Sequence, residues 1–205
     1  MKILATYVGT ILSVIVLAAA LPGTENKPLT LGSKAPLAEV PLKDISGSFY
    51  SLEDLKRENG LLVIFSCNTC PFVLGWEDQY PILGAIGTRN NIGVVLINSN
   101  EAKRAGDDSF DAMVQHAQEK YYSTPYLVDE NSRLANRFGA ITTPHVFLFD
   151  KDLQLVYKGS INDKYEQKDE KPQKFYLQNA IVNMLAGKPI QPAETKQMGC
   201  SIKRK

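Results

Sequence analysis

The chain has 205 residues, 44% of them hydrophobic, which suits one packed domain with appendages and excludes a disordered chain. Its 23 Lys and Arg stand against 22 Asp and Glu, a formal charge of +1. That balance excludes the strong field with which a protein gathers nucleic acid, so no nucleic-acid partner is expected and partners must be chosen by a site.

The N-terminus opens with Met1 and Lys2, and its apolar run from Val8 to Leu21 ends in Ala18, Ala19 and Ala20 ahead of Pro22. A positive start, an apolar middle and small residues at the end are the parts of a secretory signal. Residues 1–21 therefore read as a signal peptide or, since Ile3 to Leu21 approaches the roughly 20 residues that span a bilayer, as a signal anchor tethering the protein to a membrane. Either reading places the domain outside the cytoplasm, in the periplasm or its equivalent. Residues 22–34, rich in Pro, Gly and Thr, read as a linker.

The folded domain is expected over residues 35–187, followed by a tail over 188–205. Leu37–Leu42 and Phe49–Leu52, split by a polar break, predict a hairpin. Leu61–Phe65 is an unbroken apolar run, the pattern of a central strand buried on both faces. A helical segment follows from Pro71, kinked or broken near Pro81. Ile92–Ile97 predicts the next strand. Asp107 or Asp108 is positioned to cap a helix over Ser109–Tyr121, in which Phe110, Met113, Val114 and Ala117 recur at helical spacing. Tyr126–Val128 predicts a short strand and Glu130–Phe138 a helix ended by Gly139. Val146–Phe149 and Leu153–Tyr157 form a second hairpin across Asp150–Asp152. Residues 162–174 read as an exposed loop, and Gln173–Ala186 as a last helix stopped by Gly187. Strands alternating with helices, then a closing hairpin, give an α/β fold with a mixed central sheet flanked by helices.

The string Cys67-Asn68-Thr69-Cys70-Pro71 lies where the buried strand meets a helix start. A thiolate there faces unpaired backbone N–H groups, which stabilise its charge. Lowering a thiol pKa from about 8.5 to about 7 raises its thiolate fraction at neutral pH from roughly 3% to roughly 50%. A two-residue spacer lets the second sulfur reach the first, so Cys67 is the expected attacker and Cys70 the resolving thiol. An exported CxxC can also be an inert structural disulfide, but its strand-to-helix placement favours chemistry. Zinc would need Cys67, Cys70, Cys200 and either His116 or His145, without the second paired motif such sites carry, so no metal is expected.

With these parts in order, the chain resembles the thioredoxin superfamily over about Ala35 to Ala186, in its redoxin branch of AhpC/TSA and TlpA-like proteins. More narrowly, Phe65–Val73, the Thr143-Pro144 step and the tail Gly199-Cys200-Ser201-Ile202-Lys203 are similar to a peroxiredoxin-like group with a CxxC. The resemblance implies a thioredoxin fold with an N-terminal hairpin extension, a reactive Cys67, a resolving Cys70 and a cis Pro144. It also implies that the Thr143 backbone is open to an extended substrate segment by strand addition. A thiol-disulfide oxidoreductase follows, acting on protein disulfides or thiols with a separate thiol electron donor and no cofactor. A thiol-dependent peroxidase and a non-catalytic binding module with a structural disulfide are the alternatives.

Three positions depart from the pattern. Leu61 stands where thioredoxin carries a buried acid, so another proton acceptor must serve the resolving step. Thr69 stands where the narrower group commonly has His, and Ile64 stands where peroxiredoxins have Thr, which demotes peroxide reduction. Cys200 is a candidate third redox thiol, able to form a disulfide with Cys67 or with another chain, or else a spare thiol in a loose tail. His145 reads as a surface or half-buried strand residue, Trp76 as a packing residue, and Lys203-Arg204-Lys205 as a solvated end.

Overall fold

The computed structural model describes residues 28–168 and 171–205, so the signal segment and most of the expected linker lie outside the described residues. The central strand is β3 (Leu61–Ser66), buried at every position. Leu62 and Ile64 enter one core while Leu61, Val63 and Phe65 enter the other, as the two-residue period of a strand requires. Parallel to it runs β4 (Gly93–Asn98), which is parallel in turn to β5 (Tyr126–Val128), and antiparallel to it runs β7 (His145–Phe149), paired with β8 (Leu155–Gly159). The hairpin β1 (Leu42–Asp44) and β2 (Phe49–Tyr50) closes the other edge against β5. The sheet reads β2-β1-β5-β4-β3-β7-β8, the mixed sheet expected of a thioredoxin fold with an N-terminal hairpin extension.

Helices cover both faces. On one side α2 (Pro71–Trp76), α3 (Gln79–Arg89), α4 (Phe110–Glu119) and α6 (Tyr176–Leu185) bury Val73, Trp76, Leu83, Met113 and Leu177 against Leu62, Ile64 and Leu96. On the other, α1 (Leu52–Leu55) and α5 (Arg133–Phe138) bury Leu52, Leu134 and Phe138. The rings of Phe65, Phe138 and Phe147 meet edge to face there, at centroid distances of 5.2–5.6 Å. Gly139 ends α5 in the left-handed region at φ 63°, a conformation that costs a residue without Cβ little.

Several expectations change. The first hairpin begins at Leu42, not Leu37, because Leu37 has positive φ and the chain turns before Pro41. α4 is capped by Ser109, whose Oγ accepts from the Ala112 amide, since the Asp108 carboxylate is taken up elsewhere. α6 begins at Tyr176, later than the sequence pattern suggests. The loop after β8 is not wholly exposed: Asn162 and Asp163 are buried, and Asp163 accepts backbone N–H groups of Gln173 and Lys174. Leu29, Gly32 and Ala35 donate backbone bonds to Phe138, Leu155 and Leu153, so the described end of the linker is fastened to the domain.

The tail is docked as well. Ala193 and Thr195 exchange backbone bonds with Lys158 on β8. Further on, β9 (Cys200–Ser201) forms a two-stranded ladder with β6 (Thr142–Thr143) at the end of the sheet where β3 stops.

Candidate active site

Cys67 follows the last residue of β3, and Cys70 is the N-cap of α2, with Pro71 in the first turn where its missing N–H costs no bond. Both sulfurs are free thiols. The Thr143–Pro144 peptide is cis, and Thr143 holds both cysteines: its hydroxyl lies 3.2 Å from Cys67 Sγ, and its carbonyl accepts from Cys70 Sγ at 3.1 Å. Cys200 borders Cys70, so the structure brings all five residues singled out in the sequence to one place. Cys200 lies on the Cys70 side of the pair.

The two thiols titrate as a unit. A bond from the Cys67 thiol lowers Cys70 to about 5, helped by the Cys200 thiol and the Val73 amide against the penalty of burial. The same bond, then burial, pushes Cys67 above the ordinary thiol range, and the Asp108 charge adds to this. With the tail in place, the bonds around the pair thus favour charge on Cys70. The reason is local: the Cys67 thiol donates to Cys70, and the Cys200 thiol and the Val73 amide add to it.

The Thr143 bonds describe the other arrangement of the same proton. With the charge on Cys67, the Thr143 hydroxyl donates to it and the Cys70 thiol donates to the Thr143 carbonyl. One proton moving between two neighbouring sulfurs therefore exchanges their roles without a third group.

The loop between the cysteines rests on a residue that sequence reasoning missed. Asp108 is fully buried and accepts from the Asn68 amide at 2.9 Å, Asn98 Nδ2 at 2.7 Å and Asn100 Nδ2 at 2.9 Å. The Tyr126 hydroxyl donates to Asn68 Oδ1, fixing that side chain from the other side. The polar run Asn98-Ser99-Asn100 ending an apolar strand was the available signal.

His145 is a correction. It is only 5% exposed, its Nδ1 has no partner, and burial followed by the nearby Lys158 charge lowers it to about 3. It is a neutral core residue and not a base. His116 bonds Glu77 and Tyr122, away from the sulfurs, and among the described residues no group of three His, Cys, Asp or Glu could hold a metal ion. Trp76 packs α2, its indole donating to Asn162 Oδ1 at 2.8 Å. Within the closing basic run Lys203 and Lys205 are exposed as expected, whereas Arg204 is half-buried and bonds Asn136 and the Ala140 carbonyl.

The family model described as AhpC/TSA matches residues 31–158. An uncharacterized conserved protein from Geobacillus kaustophilus is 32% identical with TM-score 0.77, covering 86% of this chain and 93% of its own. A hypothetical protein from Sinorhizobium meliloti is 29% identical with TM-score 0.80, covering 87% and 97%. A thiol-disulfide oxidoreductase from Bacteroides fragilis, 16% identical with TM-score 0.54 over 64% and 93%, shares the fold. No curated protein matches the chain.

Proposed function

The chain belongs to the AhpC/TSA family, and from that membership we propose that it is a thiol-disulfide oxidoreductase working outside the cytoplasm on protein disulfides through Cys67 and Cys70. The observation that carries the reading is the pair of free thiols gripped by the hydroxyl and carbonyl of Thr143, next to the cis Pro144. A static disulfide would need none of that proton-sharing geometry.

In the reducing direction, the Cys67 thiolate attacks one sulfur of the client disulfide as its proton passes to Cys70. A mixed disulfide forms, the client S–S bond breaks, and the departing client sulfur takes a proton from water. Cys70 then loses its proton to water and attacks Cys67 Sγ, the mixed disulfide breaks, and the second client sulfur leaves as a thiolate that takes a proton from water. The protein is left with a Cys67–Cys70 disulfide, the client has gained two electrons, and an external thiol donor restores the pair. Water thereby serves as the proton acceptor of the resolving step, where Leu61 supplies no buried acid.

Two features support the remaining parts. The apolar run ending at Leu21 supports export, with cleavage or membrane anchoring separated by the N-terminal sequence of the mature protein. Ile64, where peroxiredoxins carry Thr, supports disulfide exchange over peroxide reduction. Reduced protein should precipitate insulin by cleaving its disulfides, and Cys67→Ser should lose that activity. Rapid peroxide consumption that depends on Cys67, with insulin untouched, would instead make it a thiol peroxidase.

A further inference from the structure

The site as it stands has no room for a visitor. Cys67 is 2% exposed and Cys70 4%, and the tail lies over them. Ser201 pairs with Thr142 and Cys200 with Thr143, antiparallel, on the backbone that a client's extended segment would use.

The rest of the segment is fitted to the same surface. A Cβ on Gly199 would come within 2.3 Å of the Thr143 carbonyl oxygen and 3.2 Å of the Pro144 nitrogen, so the chain touches the cis peptide where only glycine fits. Cys200 then places a sulfur beside Cys70, packed against the core cluster that holds both redox cysteines. Ile202 is 5% exposed, packed into the core beneath α5, and donates its amide to the Ile141 carbonyl at 3.0 Å. Lys203 is held on both sides of its backbone, by Asn100 Oδ1 at 2.9 Å and by the Ala102 amide at 2.8 Å. Arg204 Nε donates to Asn136 Oδ1 on α5 at 2.7 Å, and its Nη2 donates to the Ala140 carbonyl just past the end of that helix.

We propose that Gly199–Arg204 is a built-in client mimic: it occupies, within its own chain, the slot that binds an extended client segment of the pattern glycine, cysteine, any residue, aliphatic, any residue, basic. This rests on the oxidoreductase reading for the role of the slot and adds the class of substrate it takes. Each element of the pattern has a contact behind it: close backbone approach at Gly199, a sulfur beside the redox pair, an apolar seat for Ile202 and a polar cradle for Arg204. Access to the thiols then requires the mimic to leave.

The test reads access and not turnover, so it stands even if the protein reduces no disulfide. Reduced full-length protein is treated with limiting iodoacetamide, and labelling of Cys67 and Cys70 is followed by peptide mass spectrometry. Gly199→Val, which the slot cannot accept, and Arg204→Glu, which faces the Ala140 carbonyl with a negative charge, should each speed labelling about tenfold by raising the open population. A synthetic peptide of residues 197–205 carrying Cys200→Ser should restore protection to the Gly199→Val protein, and the same peptide with Ile202→Asp should not. Wild-type labelling rates in both variants would overturn the proposal, as would a parent peptide that fails to protect or a protection indifferent to Ile202→Asp.

Discussion

Strand β3 pairs with β4 over six residues and with β7 over five, and both of its faces are buried, whereas β9 meets β6 in two pairs with the Ser201 side chain exposed. The first arrangement draws its stability from apolar area on both sides of a continuous ladder. The second rests on a few backbone bonds, one aliphatic side chain and one guanidinium. The contrast teaches that the scaffold under the cysteines and the strand over them belong to different levels of stability, so the upper one can open while the lower one stays folded.

Substitutions in each region put a scale on the difference. Phe65→Ala should lower the unfolding free energy by about 4 kcal/mol, as for other buried aromatic truncations, measured by urea denaturation. A loss below about 1 kcal/mol would place the main core elsewhere. Asp108→Asn should cost about 3 kcal/mol, because an amide now faces three N–H donors in a dry site. The same variant should loosen the loop holding Asn68 and shift the titration of the cysteine pair, read by iodoacetamide labelling against pH.

Acid should act on the lower level through His145. Its pKa in the fold is about 3 against an unperturbed 6.5, so below pH 6.5 the unfolded chain binds a proton that the folded chain refuses. Stability is present in full above pH 6.5 and falls by about 1.4 kcal/mol per pH unit toward pH 3. Between pH 7 and pH 5 the loss should be about 2 kcal/mol, and His145→Leu should remove that slope. The smallest global effect is expected in the tail. Arg204→Ala should change the unfolding free energy by about 1 kcal/mol or less while hydrogen exchange at the Ile202 amide accelerates. Equal effects on both measurements would merge the two levels into one.

What the sequence revealed divides along the same line. The run Leu61–Phe65, the Tyr126–Val128 strand, the Gly139 stop and the closing hairpin were all legible, because each is specified by neighbours in the chain. The CxxC was legible for its position at a strand end, and Thr143-Pro144 through resemblance. Asp108 was misread as a helix cap, since its partner Asn68 lies 40 positions away and only the folded sheet brings them together. His145 was placed nearer the surface because a strand period cannot tell that both faces of β7 are covered. The tail carries no period at all. Its order comes from contacts with residues such as Asn100, 103 positions from Lys203, which no local pattern encodes.

Asn100 has one further consequence. Its amide nitrogen serves Asp108 beneath the cysteine loop, while its amide oxygen serves Lys203 in the tail. A strand supplied by the same chain competes at an effective concentration in the millimolar range, so an arriving segment is ranked against a permanent rival and weak callers are turned away. When a stronger one succeeds, the vacated oxygen of Asn100 is free to receive the newcomer's own backbone, and the floor of the site registers the exchange.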